Sequence, residues 1–137
     1  MDSAKHTENI QTAVILFAHG SSVEGANRGV HELAQRVEAA GPYRYVRAAF
    51  LGLAQPDLAR AITEAVTSGA RRIIVIPYFL TMGVHLREDL PGLVAAEKRK
   101  HPQAEIQVGK SLENHPEMAS LILGRILEAT EETKVAP

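Results

Sequence analysis

Two histidines, His19 and His85, each stand just past the end of a short apolar run, where a side chain able to move protons and bind metals is well placed for chemistry. Ala13-Val14-Ile15-Leu16-Phe17-Ala18 leads directly into His19-Gly20-Ser21-Ser22. Ile73-Ile74-Val75-Ile76-Pro77 leads through Tyr78-Phe79-Leu80-Thr81-Met82-Gly83-Val84 to His85. Unbroken apolar runs of this length are the habit of strands buried on both faces of a parallel sheet. In such sheets ligands bind outside the carboxyl ends of the strands. The other histidines are placed less tellingly. His31 falls within a helical stretch, and His101 in the last turn of another, where a cation suits the dipole. His115 lies beside Pro116 after the fourth strand, within reach of the same crevice, and His6 belongs to a polar arm.

The surroundings of the two histidines narrow the reaction further. Gly20-Ser21-Ser22, continuing to Arg28, opens a helix whose first N–H groups suit a phosphate or carboxylate. It is neither a Walker A loop nor G-x-G-x-x-G, so no nucleotide role follows. No G-x-S-x-G elbow is present, and Ala18 stands where a histidine phosphatase would carry Arg before its His-Gly. The apolar loop Tyr78-Phe79-Leu80-Thr81-Met82 offers a wall for a flat ligand or a partner subunit. Two histidines without an evident carboxylate cage suit proton transfer or transient metal handling better than storage.

The elements that must hold these residues read as strand then helix, four times. Val30, Leu33, Ala34 and Val37 mark one face of a first helix closing at Gly41-Pro42. Tyr43 to Leu51 is the second strand, and Pro56 opens a helix with Leu58, Ile62 and Ala65, stopped by Ser68-Gly69. Arg72 to Pro77 is the third strand. Asp89 is expected to cap a helix carrying Leu90, Leu93 and Val94, with His85 in the loop before it. Glu105 to Val108 is the fourth strand, and Asn114 is expected to cap a last helix with Met118, Leu121, Ile122, Ile126 and Leu127. Strands one and three are continuously apolar and hence central, whereas two and four are diluted by Arg, Glu and Gln. Right-handed crossovers then give a parallel sheet of order 2-1-3-4, with helices on both faces. Its switch point lies between the strands that end in His19 and His85.

Composition sets the outer bounds. The chain has 137 residues, 45% apolar and 23% charged, as expected of one globular domain. Residues 1–11 are expected to form a polar arm, 12–130 one domain and 131–137 a tail. A net charge of −1 and 4% aromatics argue against nucleic acid as a partner. Cysteine is absent, which excludes thiolate chemistry, disulfides and cysteine-ligated clusters. No run approaches the length of a membrane helix, so no membrane role and a cytoplasmic location are expected.

Ala18-His19-Gly20-Ser21-Ser22, Ala49-Phe50-Leu51, Pro77-Tyr78-Phe79-Leu80, Gly83-Val84-His85-Leu86-Arg87-Glu88-Asp89-Leu90-Pro91 and Asn114-His115-Pro116 occur in order across most of the chain. Together they resemble the small CbiX/SirB-type sirohydrochlorin chelatases, most specifically between Pro77 and Pro91. The resemblance implies a chelatase-like α/β fold and ATP-independent insertion of cobalt or iron into sirohydrochlorin, for cobalamin or sirohaem synthesis. It implies that His19 and His85 bind the incoming metal and assist deprotonation of the macrocycle. No tightly bound cofactor is implied; Co²⁺ or Fe²⁺ is a substrate. The carboxylates of the macrocycle would meet Arg28, Arg87 and the helix start at Gly20, Ser21 and Ser22, with Tyr78, Phe79, Leu80, Thr81, Met82 and Gly83 lining the site. Longer relatives contain two such domains, so this chain is expected to pair as a homodimer. Gly52 stands where many relatives carry Glu. That departure keeps open a non-catalytic metal- or tetrapyrrole-binding protein with the same fold.

Overall fold

A computed structural model describes residues 11–135; most of the expected polar arm, His6 included, and the end of the tail lie outside the described residues. Four strands alternate with four helices: β1 (Thr12–Ala18), α1 (Glu24–Ala40), β2 (Tyr45–Phe50), α2 (Leu58–Thr67), β3 (Arg72–Pro77), α3 (Val84–Lys100), β4 (Glu105–Val108) and α4 (Met118–Val135). The strands form one parallel sheet of order β2-β1-β3-β4, the order expected from their apolar content. No helix among the described residues is long and apolar enough to cross a membrane.

Alternation along the strands divides the core into two layers. Ala13, Ile15, Phe17, Ile73, Val75 and Ile106 point to one side, where Leu58, Ala61, Ile62 and Ala65 of α2 and Leu90 and Val94 of α3 cover them. Val14, Leu16 and Val46 point to the other, against Ala34, Leu33 and Val37 of α1. All seven residues of β1 are buried, which fixes it as the central strand. Along β3, by contrast, buried residues alternate with half-buried ones.

Several boundaries differ from the expected ones for identifiable reasons. β2 begins at Tyr45 and ends at Phe50, shorter at both ends than the run from Tyr43 to Leu51. α2 is capped by Asp57, whose side chain accepts from the Arg60 N–H at 2.8 Å; Pro56 precedes that cap behind a cis peptide bond and does not open the helix. α3 starts at Val84 instead of after Asp89, because Leu86, Leu90 and Val94 at four-residue spacing carry a buried stripe back to the extended Gly83. Pro91 sits on the exposed side of that helix, leaving the Arg87 carbonyl without its intrahelical donor. His85 is therefore a first-turn helical residue and not a loop residue. α4 starts at Met118; Asn114 has φ 61°, a left-handed conformation incompatible with capping a helix there.

Candidate functional site

The histidines are presented by an extension of the sheet beyond its last formal pairs. The Tyr78 N–H donates to the Phe17 carbonyl (2.7 Å), Leu51 to Ala18 (2.9 Å) and Gly52 to His19 (3.1 Å). The main chain of His19 is thus clamped from β2 while its imidazole stays exposed, with Nδ1 3.3 Å from the Gly20 carbonyl. The Phe79 ring stands edge-on to His19 at 6.5 Å and to Phe17 at 6.2 Å, joining the site to the core. On α3, Leu86 packs into the core and leaves its neighbour His85 exposed. His19 directly follows β1 and His85 lies in the first turn of α3 after β3, so both residues fall at the carboxyl end of the two central strands. Among the described residues no three His, Asp or Glu side chains converge on a metal position.

Close approach at this rim demands glycine in one place. Gly20 has φ +90°, and a Cβ there would lie 1.8 Å from the Gly52 carbonyl oxygen. Gly52 itself is different. A Cβ at that position meets nothing within 4 Å, and its φ lies outside the left-handed range.

The other expected site residues divide into groups. Ser21, Ser22 and Arg28 line a polar pocket of about 550 Å³ with Asn27 and His31. Within it Asn27 clasps the Ser21 main chain, accepting from its N–H at 2.9 Å and donating to its carbonyl at 2.8 Å. The Ser21 hydroxyl accepts from the Val23 N–H, so two amides expected for an anion are already engaged. His31 is exposed on α1 with its ring 5.3 Å from that of Phe50. Met82 and Arg87 border a separate groove of about 720 Å³ between α3 and β4 whose lining includes neither histidine. Arg87 donates to both carboxylate oxygens of Glu113, at 3.1 and 2.9 Å. Tyr78 packs on Ala18 and Phe50, Thr81 and Gly83 are exposed, and Leu80 projects outward. His115 accepts from the Glu117 N–H and serves the turn into α4. His101 caps α3 next to the buried Glu97 carboxylate, 3.7 Å away.

One feature escaped the sequence. Val23, Leu51, Leu53, Leu80 and Val84, from three loops and a first helical turn, are all exposed at the carboxyl-end rim. Leu53 additionally holds φ 64°, a conformation that a leucine rarely adopts. Only Leu80 belonged to the expected site. Large apolar residues inside segments of loop character were the available signal.

A four-stranded parallel sheet flanked by helices, with an exposed histidine following each of its two central strands, defines an α/β class whose sites lie at the carboxyl-end rim. The family model CbiX matches residues 13–129, and the chain belongs to that family. It is 30% identical over 140 residues to a sirohydrochlorin cobaltochelatase of Methanopyrus kandleri, covering 88% of this chain and 98% of that protein. It is 27% identical to the chloroplastic sirohydrochlorin ferrochelatase of Arabidopsis thaliana, covering 82% of this chain and 50% of the relative. The crystal structure of a cobalamin (vitamin B12) biosynthesis CbiX protein from Marinobacter aquaeolei VT8 superposes with a TM-score of 0.78 at 26% identity, covering 88% and 98% of the two chains. The cobalt complex of the sirohydrochlorin chelatase SirB from Bacillus subtilis shares the fold, with a TM-score of 0.79 at 24% identity over 87% of this chain and 51% of that one.

Proposed function

We propose that this protein is an ATP-independent sirohydrochlorin chelatase, inserting Co²⁺ or Fe²⁺ into the macrocycle in the cytoplasm, with residues 12–130 as its working domain. The carrying observation is that His19 and His85, both exposed, follow the two central strands, with Phe79 against His19 and Leu53, Leu80 and Val84 exposed in the connections at the same end of the sheet. Insertion removes two pyrrole protons as the ion enters. A neutral imidazole accepts a proton or binds the ion, and borderline ions such as Co²⁺ and Fe²⁺ suit it. The face of the macrocycle rests on Phe79, Leu80, Leu53 and Val84, and its carboxylates reach Arg28 and the first turns of α1 and α3. The names of the relatives support this chemistry, and the half-length match to the SirB chain supports two copies acting as a homodimer. Incubating the purified protein with sirohydrochlorin and Co²⁺ or Fe²⁺ tests the proposal by absorbance. A rate equal to the spontaneous one would leave a tetrapyrrole or metal binder without catalysis.

The space at Gly52 yields a second measurable outcome. Gly52→Glu is expected to fold normally, since its side chain enters open space, and to bring a carboxylate to the strand end clamped to His19. Co²⁺ binding to the free protein should tighten by about tenfold, or about 1.4 kcal/mol. Equal affinities of a folded variant and the wild type by calorimetry would place this position outside the metal path.

A further inference from the structure

The polar pocket of about 550 Å³ beside the His19 strand end holds hydrogen-bond donors that the fold does not use. Its wall includes Ser21, two residues past His19, and Leu53, which directly follows the Gly52 whose N–H holds the His19 carbonyl. Arg28 and His31, three residues apart on α1, share one face of that helix and line the same pocket, opposite Gln55 of the β2–α2 loop. Among the described residues the side chains of Arg28, His31 and Gln55 have no hydrogen bond or ion pair. Glu24 stands one turn before Arg28 and lines the pocket too, yet the two are not bridged. Asn27 is the contrast, since its amide is spent on both main-chain groups of Ser21.

The core restrains His31. Its ring stands edge-on, at 63° and 5.3 Å, to that of Phe50, which is fully buried at the end of β2. A planar guanidinium, an imidazole N–H and a side-chain amide around one cavity are the donor set of a carboxylate site. An imidazole presents an N–H in either protonation state, so the site does not need a charged His31. Glu24 offsets part of the Arg28 charge, which leaves attraction for a single carboxylate and little for a phosphate dianion. We infer that His31, together with Arg28, holds one carboxylate arm of the macrocycle and so selects acidic tetrapyrroles over less acidic ones. This rests on the chelatase reading above and adds to it a specificity residue that lies outside the metal path. Because the pocket is open to water, the selection is modest, about tenfold for the carboxylate held.

Two substitutions separate this role from packing. His31→Phe keeps a ring against Phe50 and removes both nitrogens, whereas His31→Gln removes the ring and keeps an N–H donor. Binding of metal-free sirohydrochlorin is followed by fluorescence titration, with no ion present. The dissociation constant is expected to rise about tenfold in His31→Phe and to stay within about threefold of the wild type in His31→Gln. In turnover the same loss should fall on KM for the macrocycle, with kcat unchanged. Uroporphyrin and the less acidic coproporphyrin serve as competing probes; the wild type should prefer uroporphyrin, and His31→Phe should lose most of that preference. An unchanged constant in His31→Phe, or no preference between the two porphyrins in the wild type, would overturn the subsite. So would the reverse order of the variants, weak binding in His31→Gln and normal binding in His31→Phe, which would show that the ring only packs. Competition by inorganic phosphate would overturn the assignment to a carboxylate. A wild type that binds no sirohydrochlorin would overturn the chelatase reading and this subsite with it.

Discussion

Alanine at His19 or at His85 is expected to cut cobalt or iron insertion into sirohydrochlorin by at least about a hundredfold, the scale of a lost acid–base group. Both side chains are exposed and neither fills the core, so urea midpoints should stay within about 0.5 kcal/mol of the wild type. If the two rings act on one ion, the losses do not add, and the double variant should be scarcely worse than either single one. Wild-type turnover in His19→Ala would remove that residue from the mechanism. Full additivity would mean that the rings work on separate steps.

Gly20→Ala should instead fail at the level of the backbone. Its φ of +90° costs an L-residue about 1–2 kcal/mol, and a methyl group 1.8 Å from the Gly52 carbonyl oxygen forces the β1–α1 and β2–α2 loops apart. Together we expect a loss of about 3 kcal/mol or more in chemical denaturation, with chelation lost as well because the His19–Gly52 clamp opens. Gly69→Ala is the control. It has φ +105° but nothing within 4 Å of the added carbon, so it should show the conformational cost alone. Equal destabilisation of the two variants would mean that the loops separate without resistance.

Strand order was legible because burial acts on composition directly. The central strands β1 and β3 hold a single charge between them, Arg72 at the start of β3, whereas the edge strands carry the polar residues Arg47, Glu105 and Gln107 within their runs. The two histidines were legible for the same reason, since each follows a run whose end is unambiguous. Helix starts were less so. A cap residue such as Asp89 competes with a buried stripe, and the stripe of Leu86, Leu90 and Val94 won through packing that no local pattern weighs. The pairing of Arg87 with Glu113 joins residues far apart in the chain, so its sequence neighbourhood suggested a free cation where the structure has an ion pair. The apolar mouth is assembled from several segments and exists only after folding.

The clamp on His19 separates two timescales at one residue. Its main chain is held by the Gly52 N–H bond, which continues the pairing of β1 and β2 past their last formal residues. What is left free is rotation of a small exposed ring, a motion of picoseconds to nanoseconds. Under the proposed chemistry, the reorientation of His19 toward an ion would be a matter of its ring alone, with its backbone already fixed.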